Sequence, residues 1–184
     1  ASMPLIADMS SDILSREMDF NKFAFIYAGA QKNMGAAGVN LVVADRAFLA
    51  KGNKAIPSMM DYSVHVENGS MLNTPPVFAI YVCMLTLRWL KEQGGVDAIE
   101  KINNEKATTL YSEIDANPLF KGTVAVEDRS KMNVCFVMDN VEIEERFLQY
   151  VKENDIYGIK GHRSVGGFRA SLYNALPLES VNYL

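Results

Sequence analysis

Apolar residues fall in two different rhythms along this chain. In the first half they come as short runs with apolar residues at both parities: residues 22–28 (KFAFIYA) and 39–44 (VNLVVA) predict strands covered on both faces, the pattern of central strands in a helix-covered sheet. A shorter run, residues 4–7, predicts a strand that ends at Asp8. A short helix is expected at 46–50. Residues 51–73 are polar and hold Gly, Pro and Asn, which reads as a long loop, and long loops in compact domains tend to carry function. Pro75-Pro76 then opens a helix with Thr74 as its expected N-cap. It runs to Gln93, where Gly94-Gly95 stop it. A second helix is expected over 96–114, with Val96, Ile99, Leu110 and Ile114 near helical spacing.

From there the rhythm changes. Residues 123–126 and 133–137 predict strands around a charged turn. Residues 142–154 predict an amphipathic helix with Ile143, Phe147, Leu148 and Val151 on one face. Residues 168–173 (FRASLY) predict a further strand after a Gly-rich loop, and LESVNYL begins a helix. The first half therefore reads as α/β and the second as α+β, with helices on one side of the strands. Trp89 is expected in the core, and the loop residues Met59 and Met60 are candidates for contact with a partner chain. Three strands apolar on both faces would also leave exposed sheet edges.

Composition narrows the classes. The chain has 184 residues, 49% of them hydrophobic and 22% charged, with a formal net charge of −4. A packed core is expected, and neither a nucleic-acid surface nor an anionic membrane surface is indicated. No apolar run reaches the ~20 residues of a membrane span, and no basic leader opens the chain, so a cytoplasmic protein is expected. The two cysteines, Cys83 and Cys135, sit in apolar segments without a CxxC and are expected as buried free thiols. The two histidines, His65 and His162, cannot make a His-rich metal site.

One lysine stands out. Lys32 lies in the small-residue stretch YAGAQKNMGAAG, just past a predicted strand, where open α/β sheets bind ligands. It is either a solvated loop cation or an amine that attacks a carbonyl. Asp8 ends the preceding strand. If the two strands are parallel, acid and amine emerge at one sheet edge, the pairing pyridoxal phosphate requires for its ring nitrogen and its aldehyde. Asp8 capping a turn with Ser10 and Ser11 is the alternative. A nucleotide-binding loop would need GxGxxG or GxxxxGK[ST], and the 29–32 stretch matches neither. Further along, GHRSVGGFRAS (161–171) gathers His162, Arg163 and Arg169 among glycines, a set suited to carboxylates and phosphates or to a plain surface turn. Asn73-Thr74 precedes a predicted helix, where free N–H groups favour an anion or need only an ordinary cap.

Six stretches, ADMSSDILSR (7–16), YAGAQKN (27–33), NTPPVFAIY (73–81), WLKEQGG (89–95), RSKMNV (129–134) and KGHRSVGGFRASLYNALPLE (160–179), together resemble the phosphoserine aminotransferase family, in order along nearly the whole chain. The resemblance implies a partial fold-type-I pyridoxal-phosphate transferase: residues 1–93 as the second half of the large sheet domain and 94–184 as the small α+β C-terminal domain. It implies interconversion of 3-phosphohydroxypyruvate plus glutamate and phosphoserine plus 2-oxoglutarate, in serine and pyridoxine biosynthesis, by a homodimer. By the same resemblance, Lys32 bonds the cofactor, Asp8 pairs with its ring nitrogen, and Gln31, Asn73 and Thr74 hold its phosphate, the last two from the neighbouring subunit. Arg169 would take the substrate α-carboxylate, and His162 and Arg163 its distal anion. The match starts in the middle of the family's large domain and stops short of its usual end. A fragment is therefore expected, or one piece of a nicked enzyme whose other piece is a separate chain, weak in cofactor binding and negligible in transamination alone; the alternative is a non-enzymatic assembly piece that associates through dimer-type contacts.

Overall fold

A computed structural model describes residues 3–52, 55–162 and 166–184. The chain forms two compact units, Ala1–Gln93 and Gly94–Leu184. In the first, β1 (Ile6–Asp8), β2 (Phe25–Gly29) and β3 (Asn40–Ala44) make a three-stranded sheet in that order. β1 and β2 are parallel, with Asp8 beside Tyr27, and β2 and β3 are antiparallel. β2 is the central strand, and four of its five residues are buried. Its apolar faces build a core of Met9, Ile13, Ile26, Ala28, Ala30, Met34 and Cys83.

Several expectations change here. β3 is no central strand: it lies at the sheet edge, and its residues are exposed or half-buried. β2 starts at Phe25 because Phe20–Lys22 form a 3-10 turn, capped by the Asp19 carboxylate accepting from the Asn21 amide. The 51–73 segment is not all loop. It holds a 3-10 turn, Ser58–Met60, and a helix, α2 (Tyr62–Glu67). α2 starts where Asp61 accepts from the Ser63 amide at 2.8 Å, a local cap with no long apolar stripe to announce it. The short helix expected at 46–50 is present as α1 (Arg46–Leu49), capped in the same way by Asp45.

The next helix, α3 (Val77–Glu92), starts at Val77, so Thr74 is not its N-cap. Thr74 precedes Pro75 and Pro75 precedes Pro76, and a residue before proline is pushed out of the helical region. α3 buries Ala79, Cys83 and Leu90 but exposes Val77, Phe78 and Tyr81, and Trp89 is only half-buried. The small residues after β2 have a packing reason. A Cβ on Gly35 would sit 2.8 Å from Cys83 Sγ and 2.9 Å from Cys83 Cα, so glycine lets this loop lie directly on α3.

The second unit opens with α4 (Gly95–Ala116), reached through Gly94, whose φ of 96° suits only glycine at ease. An antiparallel sheet, β4 (Lys121–Gly122), β5 (Asn133–Val137) and β6 (Phe168–Ser171), joins α5 (Val141–Glu153) and α6 (Leu178–Tyr183) around one core. Phe120, Phe136, Phe147 and Phe168 meet ring to ring in that core, with centroids 5.1–5.5 Å apart. The amphipathic stripe of α5 faces it as expected. The strand expected at 123–126 is displaced to Lys121–Gly122, and Val126–Asp128 form a 3-10 turn. Arg129 anchors that turn elsewhere: its guanidinium grips Asp115 of α4 at 2.6 and 2.7 Å and lies 4.6 Å from the centre of the Tyr111 ring. Cys83 is a buried free thiol, but Cys135 is only half-buried. Among the described residues no helix is long and apolar enough to cross a membrane.

The most unusual core residue is Lys106, fully buried on α4. Its Nζ donates to the carbonyls of Leu172, Tyr173 and Leu176 at 3.0, 2.9 and 3.1 Å. Beside it the Asn103 amide donates to Asn174 Oδ1 at 2.9 Å. Together they fasten the turn between β6 and α6 to α4. Burial pushes the Lys106 ammonium down to about 8. Lys106→Met strands three carbonyls and is expected to cost about 2–4 kcal/mol in urea denaturation at neutral pH. The unfolded chain keeps this proton up to pH 10.5, while the folded chain releases it above about 8. The cost of burying the charge is therefore present in full below pH 8 and is relieved as pH climbs toward 10.5. The stability gap between wild type and Lys106→Met should widen over that window.

Candidate cofactor-binding site

Parallel pairing carries β1 and β2 to the same sheet edge. Asp8 is the last residue of β1, and β2 ends at Gly29, two positions beyond Asp8's neighbour Tyr27. The chain then enters the 30–35 turn, closed by the amides of Met34 and Gly35 donating to Ala30 O at 3.1 and 2.7 Å. Ala30 and Asn33 are buried in this turn, whereas Gln31 and Lys32 are exposed. The turn thus holds its two ends and presents the two residues between them.

Both ends are tied to the loop that follows Asp8. On one side, the Gly29 amide donates to Ser10 Oγ at 2.9 Å. On the other, the Asn33 side-chain amide donates to Ser11 O and Ile13 O, each at 3.1 Å. Lys32 is a long flexible side chain on a backbone fixed on both flanks. Asp8 itself accepts from the Ser10 hydroxyl at 2.6 Å and the Ser10 amide at 2.9 Å, both on Oδ1. These bonds, hydroxyl first, hold its carboxyl below the usual carboxylate range. Desolvation opposes them, and the Tyr27 hydroxyl and the Lys32 ammonium add smaller effects in their favour. The Asp8 charge in turn raises the Tyr27 phenol. The turn-cap expected of Asp8 with Ser10 is therefore present, at the end of β1.

Asn73 and Thr74 lie in the extended segment before α3, exposed, with the Asn73 amide donating to Thr74 O at 3.1 Å. In the second unit, Arg169 points away from the core, between buried Phe168 and Ala170. It is cross-strand neighbour to Cys135, on a face that also carries Asn133 and Ser171. Asn133 Oδ1 accepts from Tyr173 Oη at 3.2 Å on that face. Arg169 also borders a cavity of about 760 Å³ formed with the 155–159 turn and α6. His162 is exposed; its carbonyl accepts from the Gly166 amide, and the Gly161 amide donates to Gly167 O, each at 2.8 Å. Arg163 lies outside the described residues. Ser10 and Asn33 carry much of this geometry and were not singled out from sequence as site residues. The Asp-x-Ser spacing was a visible sign of the first; the second announces itself only by its burial.

The donor set fits pyridoxal phosphate on chemical grounds. An ionised carboxylate suits a protonated pyridine nitrogen, a primary amine suits an aldehyde, and exposed Gln31 offers an amide to a phosphate.

In architecture, the chain is one half of the fold-type-I aminotransferase fold. It overlays phosphoserine aminotransferase from Bacillus circulans subsp. alkalophilus with a TM-score of 0.93 at 45% identity, covering 99% of this chain and 51% of that one. The pyridoxal-phosphate-bound phosphoserine aminotransferase of Trichomonas vaginalis gives 0.93 at 40%, covering 100% and 53%. The aminotransferase class-V family model matches residues 1–184, and the chain belongs to that family. It is 59% identical to the phosphoserine aminotransferase of Flavobacterium johnsoniae and 55% identical to that of Bacteroides thetaiotaomicron, over 100% and 99% of its own length. It spans about half the length of these relatives, 51% and 52%.

Asn33→Ala removes both ties on the far flank of Lys32. It should lower unfolding stability by about 1–3 kcal/mol in urea titration, because one buried and one part-buried carbonyl lose their donor.

Proposed function

We propose that this chain supplies the lysine-bearing half of a pyridoxal-phosphate aminotransferase that interconverts 3-phosphohydroxypyruvate plus glutamate and phosphoserine plus 2-oxoglutarate. The observation that carries the proposal is the meeting of Asp8 and the Lys32 turn at one edge of parallel strands, in a chain like phosphoserine aminotransferases from end to end. Residues 1–93 then form half of the large cofactor domain and 94–184 the small domain. Asp8 would keep a proton on the ring nitrogen of the cofactor, Lys32 would hold its aldehyde end through the side-chain amine, and Gln31 would take its phosphate. Asn73 and Thr74 bind the phosphate of the neighbouring subunit in a homodimer. When bound, pyridoxal phosphate supplies an electron sink for the bond-breaking at the substrate α-carbon. The Lys32 amine would move the proton from that carbon. Arg169 orients the substrate by its α-carboxylate, and His162 and Arg163 hold the distal phosphate or carboxylate. These substrates support a role in serine and pyridoxine biosynthesis, and the proposed setting is the cytoplasm.

Because the chain spans half of its relatives, activity requires a second segment, in the same or a separate chain, and this half alone transaminates negligibly. A second reading, an assembly piece without catalysis, draws on exposed apolar residues of α3 and on Met59 and Met60.

Borohydride reduction after incubation with pyridoxal phosphate separates the two readings. Peptide mapping should find the phosphopyridoxyl group on Lys32, and Lys32→Ala should abolish it and the violet absorbance band. Label spread evenly over surface lysines, or a band unchanged in Lys32→Ala, would overturn the cofactor role of Lys32.

A further inference from the structure

We propose that Ser10 is a positioning residue of this site: it ties Asp8 to the end of the lysine-bearing strand and fixes which carboxylate oxygen is left for a ring N–H. The inference rests on the cofactor reading above and extends it to a residue outside the expected binding set. Three bonds define the link. The Gly29 amide donates to Ser10 Oγ at 2.9 Å, and the Ser10 hydroxyl and amide both lie on Asp8 Oδ1, at 2.6 and 2.9 Å.

The direction of the hydroxyl bond follows from its partners. A backbone amide can only donate, so Ser10 Oγ is the acceptor from Gly29, and its single proton goes to Asp8. Gly29 N–H, Ser10 O–H and Asp8 carboxylate thus form a relay in which each bond polarises the next. The last bond is short, as hydrogen bonds to a charged oxygen are.

A local turn would need only the Ser10 amide. The hydroxyl adds something else: a contact to a residue 19 positions away, at the end of the neighbouring strand. Two consequences follow. The carboxylate is held at Oδ1, where both Ser10 donors converge, and Oδ2 takes no donor from Ser10; the Tyr27 hydroxyl and the Lys32 ammonium are the other groups that act on it. The spacing between Asp8 and the root of the Lys32 turn is also set by a side chain and not by the strand ladder alone. Both matter to a rigid ring that must reach an acid at one end and an amine at the other.

The test needs no catalysis. In the cofactor-free 184-residue chain labelled with carboxyl-13C aspartate, the Asp8 signal, assigned by its loss in Asp8→Asn, is followed through an acid titration. Ser10→Thr and Ser10→Val have nearly the same shape and differ in the hydroxyl. The Thr variant should titrate like wild type, and the Val variant, like Ser10→Ala, should titrate at higher pH. Capture of pyridoxal phosphate should weaken about ten-fold in the Val and Ala variants and recover in the Thr variant. An Asp8 midpoint unmoved in both hydroxyl-free variants overturns the role of Ser10. A moved midpoint in a chain that never captures pyridoxal phosphate at Lys32 upholds the Ser10–Asp8 link and overturns cofactor capture by this half on its own.

Discussion

Parallel pairing of two short strands is the constraint on which the candidate site depends. β1 and β2 run the same way, so their carboxyl ends share an edge, and the acid that ends one faces the turn that follows the other. Antiparallel pairing would have sent Asp8 and Lys32 to opposite edges of the sheet. β1 is only three residues long, and a ladder that short sets direction better than it sets distance. The loops beyond the strands complete the work. Ser10 reaches Gly29 and Asn33 reaches Ser11 and Ile13, so the segments that leave the sheet are bound to each other almost as the strands are.

Those ties also explain the composition of the turn. Ala30 and Asn33 are buried, Gly35 lies against Cys83, and only Gln31 and Lys32 project. Small residues let the turn sit close to α3 and leave its two exposed side chains as the ones with room to move. Rigidity in the backbone with freedom in the side chain is what an amine needs if it must both hold a ligand and move a proton.

Much of this was legible in the sequence. The runs that end at Asp8 and Ala28 mark a sheet edge, and lysine among small residues is conspicuous. What was not legible depends on neighbours or on a few local atoms. β3 reads like a central strand but lies at an edge, because apolar runs do not say what covers them. Thr74 reads like a cap, but the two prolines after it keep the chain extended, and the helix begins three residues later. α2 rests on one aspartate cap, too little signal in a polar stretch. The strand expected at 123–126 lost to a guanidinium seated on Asp115 and Tyr111, partners distant in sequence. Buried Lys106 was unreadable for the same reason: in sequence it is one more charge on a helix.

That lysine has a consequence for how the second unit tolerates change. Its three acceptors are main-chain carbonyls of Leu172, Tyr173 and Leu176, not carboxylates. Every amino acid brings the same carbonyl to its position, so the acceptor side of the clamp is blind to side-chain identity. Side chains along the turn can drift as their own packing allows without unfastening it from α4. The donor has no such latitude, because no other residue of that length ends in three N–H groups on one atom.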